Sequence, residues 1–304
     1  RVAKLTPDLE VRRRFVRKFV PLSLWYVRRQ LARGLCRESD LPKVLTSRVD
    51  LYRLTSLYDG THDPASGWRD PQWTSLADQL SAMIRQSPAG DTEGLESRGL
   101  ELLWPLLEKR LPKDVGVPPE RPFGCWNYQM AWKGTGDRPG MFGKLLNFPH
   151  VVAWARAKLG LPMAPRREVA LHFDNVLKPR SPFDDLASLA GSLRRLVADC
   201  RAKHPAAEVL WFHSWLNGHP DCRRLFPPGF AGTAIIRGVT HYQTWWGQFM
   251  TKTGDFNDEI ARRFRKADGE FPYPGVLCHG RIDEIDAHLA ALIPQLGNEC
   301  ETAR

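Results

Sequence analysis

Four side chains suited to proton transfer occur near the ends of apolar segments. His172 and Asp174 lie two residues apart, and His213 and His241 follow later in the chain. Residues two apart on a strand share a face, so the carboxylate could orient the imidazole as a general base. Each histidine taken alone is equally typical of a hydrogen-bonded core residue. We take His172, Asp174, His213 and His241 as the candidate catalytic residues.

The same residues also match the order His-x-Asp…His of an iron site with two histidines and one carboxylate. That triad belongs on an all-β jelly roll, whereas here a predicted helix separates His172 from His241. No arginine follows His241 closely enough to hold the carboxylate of 2-oxoglutarate, since the next one is Arg262. We therefore expect no metal.

A dense mixture of aromatic and polar residues, IIRGVTHYQTWWGQF, begins at residue 235. Tryptophan and tyrosine offer flat contact surface with a polar group, and an arginine can hold a carboxylate with two hydrogen bonds. A packed sheet face is the alternative interpretation. As part of a pocket, this segment and the end of an earlier strand supply the candidate substrate-binding residues Ser214, Asn217, Arg237, Tyr242, Trp245, Trp246 and Gln248.

A strand–helix–strand pattern between residues 168 and 217 must position these groups. EVALHFDNV and EVLWFHSWLN are short and apolar, and the segment between them has a capped start at Ser181 and helical periodicity. Such a unit predicts two adjacent parallel strands joined by a right-handed crossover. Because ligands bind at the carboxyl ends of such strands, we expect the site there, covered by residues 237–248.

This order of elements, continued by a short helix and two strand-like segments, resembles the second half of the GNAT (acyl-CoA N-acyltransferase) fold over about residues 165–250. SWLNGHPDCRRLFPPGF carries the likeness, with Asn217 after the strand and then Leu225, Phe226, Gly229 and Phe230. The combination LHFDN…SPFDDLASLAGSL…HSWLN also resembles a bacterial group of GNAT-like domains with a preceding N-terminal domain. The resemblance implies transfer of an acyl group from acyl-CoA to an amine or similar nucleophile.

The resemblance further implies a diphosphate site at the start of the long helix, where Lys178, Arg180 and Ser181 are the candidate cofactor-binding residues. In that family, backbone N–H groups of a glycine-containing turn hold the diphosphate. VLKPRSPFDDL contains no glycine and adds two carboxylates, and Phe226 stands where the family often has a tyrosine. CoA would then be bound differently or not at all, which leaves a cofactor-free biosynthetic reaction as an alternative.

The rest of the chain predicts an α/β (α+β) protein with a helical N-terminal domain (1–118) and a GNAT-like mixed-sheet domain (119–304). Pro21 and Pro105 are expected to interrupt helices. The aromatic segment 123–132 reads as a strand, 141–159 as a helix, and 281–296 as a C-terminal helix. The predicted N-terminal helices are 7–20, 22–34, 40–57, 72–86 and 93–111.

Positive charge is concentrated at one end of the chain. Residues 1–50 hold 13 Lys and Arg against 5 Asp and Glu, which accounts for +8 of the total charge of +10. We expect an amphipathic helix here that docks on the protein with a solvated basic face. A basic platform for an acidic partner, such as a carrier protein, is the alternative, and it would make the chain a non-catalytic binding module.

The 304 residues are 42% hydrophobic and 26% charged, which is typical of a soluble globular protein. No apolar run is long enough to span a membrane, and the basic start lacks the apolar region of a secretory signal. The charge outside residues 1–50 is near balance, so we do not expect nucleic acid as a partner. Six scattered cysteines without a CxxC pair predict free thiols in a reducing cytoplasm.

Overall fold

A computed structural model describes residues 8–58, 66–88, 92–114, 122–131, 168–177, 180–236 and 243–302. The chain divides into two compact units, and each is made of more than one segment. The first unit comprises residues 1–119, 178–180 and 238–274. The second comprises residues 120–177, 181–237 and 275–304. The sequence predicts a single boundary, after residue 118. In the structure, residues 238–274 also belong to the first unit.

The regular elements of both units are numbered in chain order. The helices are α1 Leu9–Ala32, α2 Leu41–Lys43, α3 Leu51–Leu54, α4 Ser66–Arg69, α5 Pro71–Gln86, α6 Glu93–Arg110, α7 Leu186–Lys203, α8 Pro220–Arg224, α9 Pro228–Gly232, α10 Asp258–Lys266 and α11 Ile282–Thr302. A π-helical turn spans Val44–Arg48. The 3₁₀ segments are Glu38–Asp40, Leu111–Asp114, Pro182–Asp185, Trp215–Gly218 and Gln243–Phe249. The strands are β1 Trp126–Ala131, β2 Glu168–Phe173, β3 Val209–Ser214, β4 Ile235–Ile236 and β5 Val276–Arg281.

Helix α1 is the central element of the first unit. The Asp8 side chain accepts hydrogen bonds from two backbone N–H groups of its first turn, which satisfies donors that a helix leaves open. Phe19 and Tyr26 are buried on its inner face. The helix also approaches α6 closely, because a Cβ at Gly99 would come within 2.3 Å of the buried Leu24. Glycine is therefore the residue that lets these two helices touch.

The two predicted interruptions by proline do not divide the helices. Helix α1 continues through Pro21, so the predicted break between residues 20 and 22 is wrong. Helix α6 also continues through Pro105, so the helix is not split there, and a kink at Pro105 stays a prediction. A proline removes one backbone hydrogen bond from a helix, but buried residues on both sides of Pro21, such as Phe19 and Leu24, belong to the same core. The predicted helix 40–57 is instead broken at Asp50, whose φ of 62° is left-handed.

Residues 243–271 complete the core of the first unit. Trp246 packs edge-on against Phe19 and Tyr26 of α1, and Phe264 of α10 joins the same cluster. The segment Gln243–Phe249 is a 3₁₀ helix rather than the predicted strand. Aromatic burial against α1, more than two hundred residues earlier in sequence, decides its conformation.

Much of the basic face of α1 is occupied within its own unit. Arg14 and Lys18 form ion pairs with Asp255 and Asp258, each at 2.8 Å. Arg29 pairs with Asp268, and this hydrogen bond lowers the pKa of the carboxyl group. The docked helix that the sequence predicts is therefore observed. Several of its cations form ion pairs with residues of the segment 243–271. A platform for an acidic partner stays a prediction, with fewer cations available to it.

The second unit is a mixed sheet with helices on one face. Among the described residues five strands follow the order β1-β2-β3-β5-β4, and β2–β3 is the parallel pair. Leu171 and Phe212 face a core that includes Leu193 of α7 and Leu289 of α11. The predicted parallel neighbours are confirmed. Ser181 caps the helical segment as predicted, with a 3₁₀ turn over Pro182–Asp185 before the α-helix begins at Leu186. The sequence analysis does not predict strand β5.

No helix in the described segments is both long enough and apolar enough to cross a lipid bilayer. The five cysteines whose side chains are described are free and buried. Burial raises the pKa of the Cys200 and Cys278 thiols to about 11. Both thiols are therefore protonated at neutral pH and are poor nucleophiles.

The burial of Arg12 generates a stability prediction. Arg12 is only 2% exposed, and its guanidinium donates to the carbonyl of Leu111 at 2.9 Å. Arg12→Ala leaves that acceptor without its donor, so we expect a loss of about 1–3 kcal/mol in the free energy of unfolding. The matched variant Lys18→Ala removes an exposed pair and should cost less than about 1 kcal/mol. Urea denaturation measures both, and equal losses would contradict the assignment.

Candidate functional site

The two parallel strands separate at their carboxyl ends. Their ladder joins residues 168–171 of β2 to residues 209–212 of β3 and then stops. Strand β2 continues against β1 as far as Phe173, and β3 continues against β5 as far as Ser214. Beyond Leu171 and Phe212, each strand is paired in the sheet with its antiparallel neighbour only. We call the stretch between His172–Phe173 and His213–Ser214, where the two strands are not paired with each other, the β2–β3 opening.

Side-chain alternation brings three of the candidate catalytic residues to one face of this opening. Leu171 and Phe212 face the helices, so His172 and His213 face the opposite side of the sheet. The backbone N–H of Asp174 donates to the carbonyl of Cys125 at 2.8 Å, which extends the β1–β2 ladder by one step. Asp174 therefore lies on the same side as His172. His172 is exposed, while His213 is half-buried.

A third histidine on this face, His279, is not predicted by the sequence analysis. His279 on β5 lies directly across from Trp211 on β3, and it is diagonal to His213. The Thr233 hydroxyl lies within 2.9 Å of both main-chain groups of His279 and extends the sheet edge beyond β4. The signal for β5 was present in Val276–Leu277–Cys278, a short apolar run after a Pro-Gly turn.

Some nitrogen atoms on this face are buried without a hydrogen bond to the part of the chain that the structure describes. Nε1 of Trp211 and Nδ1 of His279 are examples. An indole N–H and an imidazole nitrogen both favour a polar neighbour when they are buried. The face opposite the helices is therefore polar as well as aromatic.

Two candidate substrate-binding residues serve the local fold. The Ser214 hydroxyl accepts from the N–H of Leu216 and caps the turn Trp215–Gly218. The Asn217 amide donates to the carbonyls of Phe212 and Val276, both at 2.8 Å. Ser214 also points to the face opposite His213. The amide of Asn217 thus ties the end of β3 to the start of β5.

The segment expected to cover the site is divided between described and undescribed residues. Arg237, His241 and Tyr242 lie outside the described residues, as does the side chain of Trp245. Trp246 is buried in the first unit and donates to the carbonyl of Arg48 at 3.0 Å. The Gln248 amide makes two hydrogen bonds with the main chain of Tyr273. Trp246 and Gln248 therefore lie in the core of the first unit, and their place in a pocket wall stays a prediction.

The start of the long helix does not fit a diphosphate. The Ser181 hydroxyl accepts from the N–H of Phe183, and the Asp184 carboxylate accepts from the N–H of Ser181. The Asp185 carboxylate accepts from the N–H of Ser188 at 2.9 Å. Three N–H groups that could bind an anion here are already bonded, and the two carboxylates repel one. Arg180 is exposed, and Lys178 lies outside the described residues.

Comparisons with known proteins add no assignment, because no family model, curated protein or solved structure matches this chain. Within the described residues, no group of three or more His, Cys, Asp or Glu side chains is arranged to hold a metal ion.

Replacing Trp246 distinguishes a core residue from a pocket wall. Trp246→Ala removes a large ring from the aromatic cluster of the first unit, so we expect it to lower the free energy of unfolding by about 3–5 kcal/mol. Trp246→Phe keeps most of the ring volume and should cost clearly less. Denaturation of both variants measures the difference. Near wild-type stability of Trp246→Ala would favour the pocket interpretation instead.

The capped helix start predicts how the diphosphate part of CoA behaves. A ligand present at about 100 times its Kd stabilises a protein by about 2.7 kcal/mol. We expect ADP not to raise the melting temperature, because three N–H groups at the start of α7 are already bonded and the two carboxylates repel its phosphates. Asp184→Asn with Asp185→Asn removes the repulsion and serves as the comparison. Saturable stabilisation of the wild type by ADP would contradict this account.

Proposed function

We propose that the second unit is a GNAT-like acyltransferase module that acts at the β2–β3 opening. The observation that carries the proposal is the end of the parallel ladder at Leu171 and Phe212, with His172 and His213 next along the two strands on one face of the sheet. The order of the strands and the crossover helix α7 agree with the likeness read from the sequence. Ligands of open α/β sheets bind at the carboxyl ends of the strands.

An acyl donor with an extended, amide-containing arm could bind at this opening. Where two strands are not paired with each other, their main-chain N–H and C=O groups can bond to another extended chain. In an antiparallel pair the hydrogen-bonded positions alternate. Since Asp174 is bonded to Cys125, the alternation directs the main-chain N–H of Phe173 away from β1 and toward the gap. An acyl thioester on an arm that contains amides, as in pantetheine, offers acceptors for such a group.

The histidine face supplies the base. The amine nitrogen forms a bond to the acyl carbonyl carbon, and the thioester C–S bond breaks. The amine proton passes to a neutral imidazole, His172 or His213, while the released thiolate takes up a proton. Asp174, on the same side as His172, would orient its ring and stabilise the imidazolium.

The donor in this proposal is recognised by its arm and not by a diphosphate. Phosphate groups are disfavoured at the start of α7, because N–H groups there already donate to Ser181, Asp184 and Asp185 and the two carboxylates are negatively charged. A short thioester, such as that of N-acetylcysteamine, contains the amide-bearing arm and no diphosphate. An acyl group bound to a carrier protein through such an arm would be recognised in the same way.

Release of free thiol from acyl N-acetylcysteamine thioesters, with a panel of amines as acceptors, tests the proposal. His172→Ala or His213→Ala, whichever removes the base, should lower kcat about 10²–10⁴-fold in a protein that stays folded. Asp174→Asn should lower kcat less, because the side chain beside His172 keeps its shape and loses only its negative charge.

The matched control is His204→Ala, which removes a half-buried histidine at the end of α7, away from the opening. We expect its turnover to equal that of the wild type. Full activity in both His172→Ala and His213→Ala would refute the assignment, and so would an absence of thiol release with every thioester and amine.

A further inference from the structure

A second cavity lies in the second unit, on the side of the sheet that carries the helices. It measures about 500 Å³ and is bounded by α8, α9, β5 and α11. Its apolar floor is formed by Phe226, Phe230, Cys278 and Leu292, all buried. The two phenylalanine rings stack with their centroids 4.2 Å apart. The lining does not include the histidine face of the β2–β3 opening, so this cavity is a separate site.

The rim of the cavity carries basic groups, and one of them is not engaged. Arg224 donates to both carboxylate oxygens of Glu299 at 2.9 Å. His288 lies 2.9 Å from the carbonyl of Arg224. Arg223 is exposed and forms no ion pair with any residue in the described parts of the chain. One guanidinium at the rim is therefore available to an anion.

The thiol on the floor of the cavity is protonated at neutral pH. Burial raises the pKa of the Cys278 thiol to about 11, and the positive charge of Arg223 opposes that rise. Arg223 and Cys278 both line the cavity. A protonated, buried thiol is a poor nucleophile, so the cavity is suited to binding and not to covalent chemistry.

We propose that this cavity binds a small monocarboxylate with an aromatic or branched apolar body. Its volume lies within the range of about 300–1,000 Å³ typical of small-molecule sites. The stacked rings and Leu292 accommodate the apolar part, and Arg223 holds the carboxylate with two hydrogen bonds. A single available cation beside the Glu299 carboxylate disfavours anions of higher charge.

Isothermal titration with 4-phenylbutyrate and its neutral analogue 4-phenylbutyramide tests the site. We expect the carboxylate to bind about tenfold more tightly than the amide, which is the effect of one charge-assisted contact. Arg223→Gln should remove that difference. Arg224→Gln, the matched neighbour whose guanidinium is already paired, should retain it. Circular dichroism establishes that both variants are folded.

A second variant tests the cavity itself. Ala231 is half-buried and lines the cavity, and Ala231→Leu places a larger side chain there. We expect it to weaken both probes at least about tenfold because it fills space that the ligand needs. Equal affinity for the two probes, unchanged binding in Arg223→Gln, or no saturable binding to the wild type would each overturn the proposal. Since the readout is binding alone, it is independent of the proposed transfer reaction.

Discussion

The short reach of the β2–β3 ladder is the constraint on which the second unit depends. The parallel pairing stops at Leu171 and Phe212, whereas the pairing of each strand with its antiparallel neighbour continues for two more residues. On one side, Asp174 is bonded to the carbonyl of Cys125. On the other, the Asn217 amide donates hydrogen bonds to the carbonyls of both Phe212 and Val276. The opening thus results from hydrogen bonds that lie outside it.

The parallel pair and its crossover helix could be predicted because their signals are local. Apolar runs of six residues, a capped helix start and a periodic stripe each lie within one element. The conformation of Gln243–Phe249 could not be predicted in this way. Its mixture of aromatic and polar residues suggested a strand, yet Trp246 packs against Phe19 and Tyr26 from the far end of the chain. Contacts so distant in sequence override the local pattern.

The candidate site was predictable in part for the same reason. Alternation along a strand is enough to bring His172 and His213 to one face once the strands are known to be neighbours. It also separates Ser214 from His213, which the expectation of a shared cleft overlooked. His279 could not be placed without β5, because only the pairing of β5 with β3 brings it beside Trp211.

Charge serves the fold in both units more than it serves recognition. In the first unit the cations of α1 are matched by Asp255, Asp258 and Asp268, which lie in the segment that the helix binds. In the second, carboxylates close the start of α7, where an open helix end would attract an anion. The function that we propose therefore assigns the recognition of a ligand at the β2–β3 opening to extended hydrogen bonding and shape. For the same reason it names an amide-bearing thioester arm as the donor and not a phosphate-rich one.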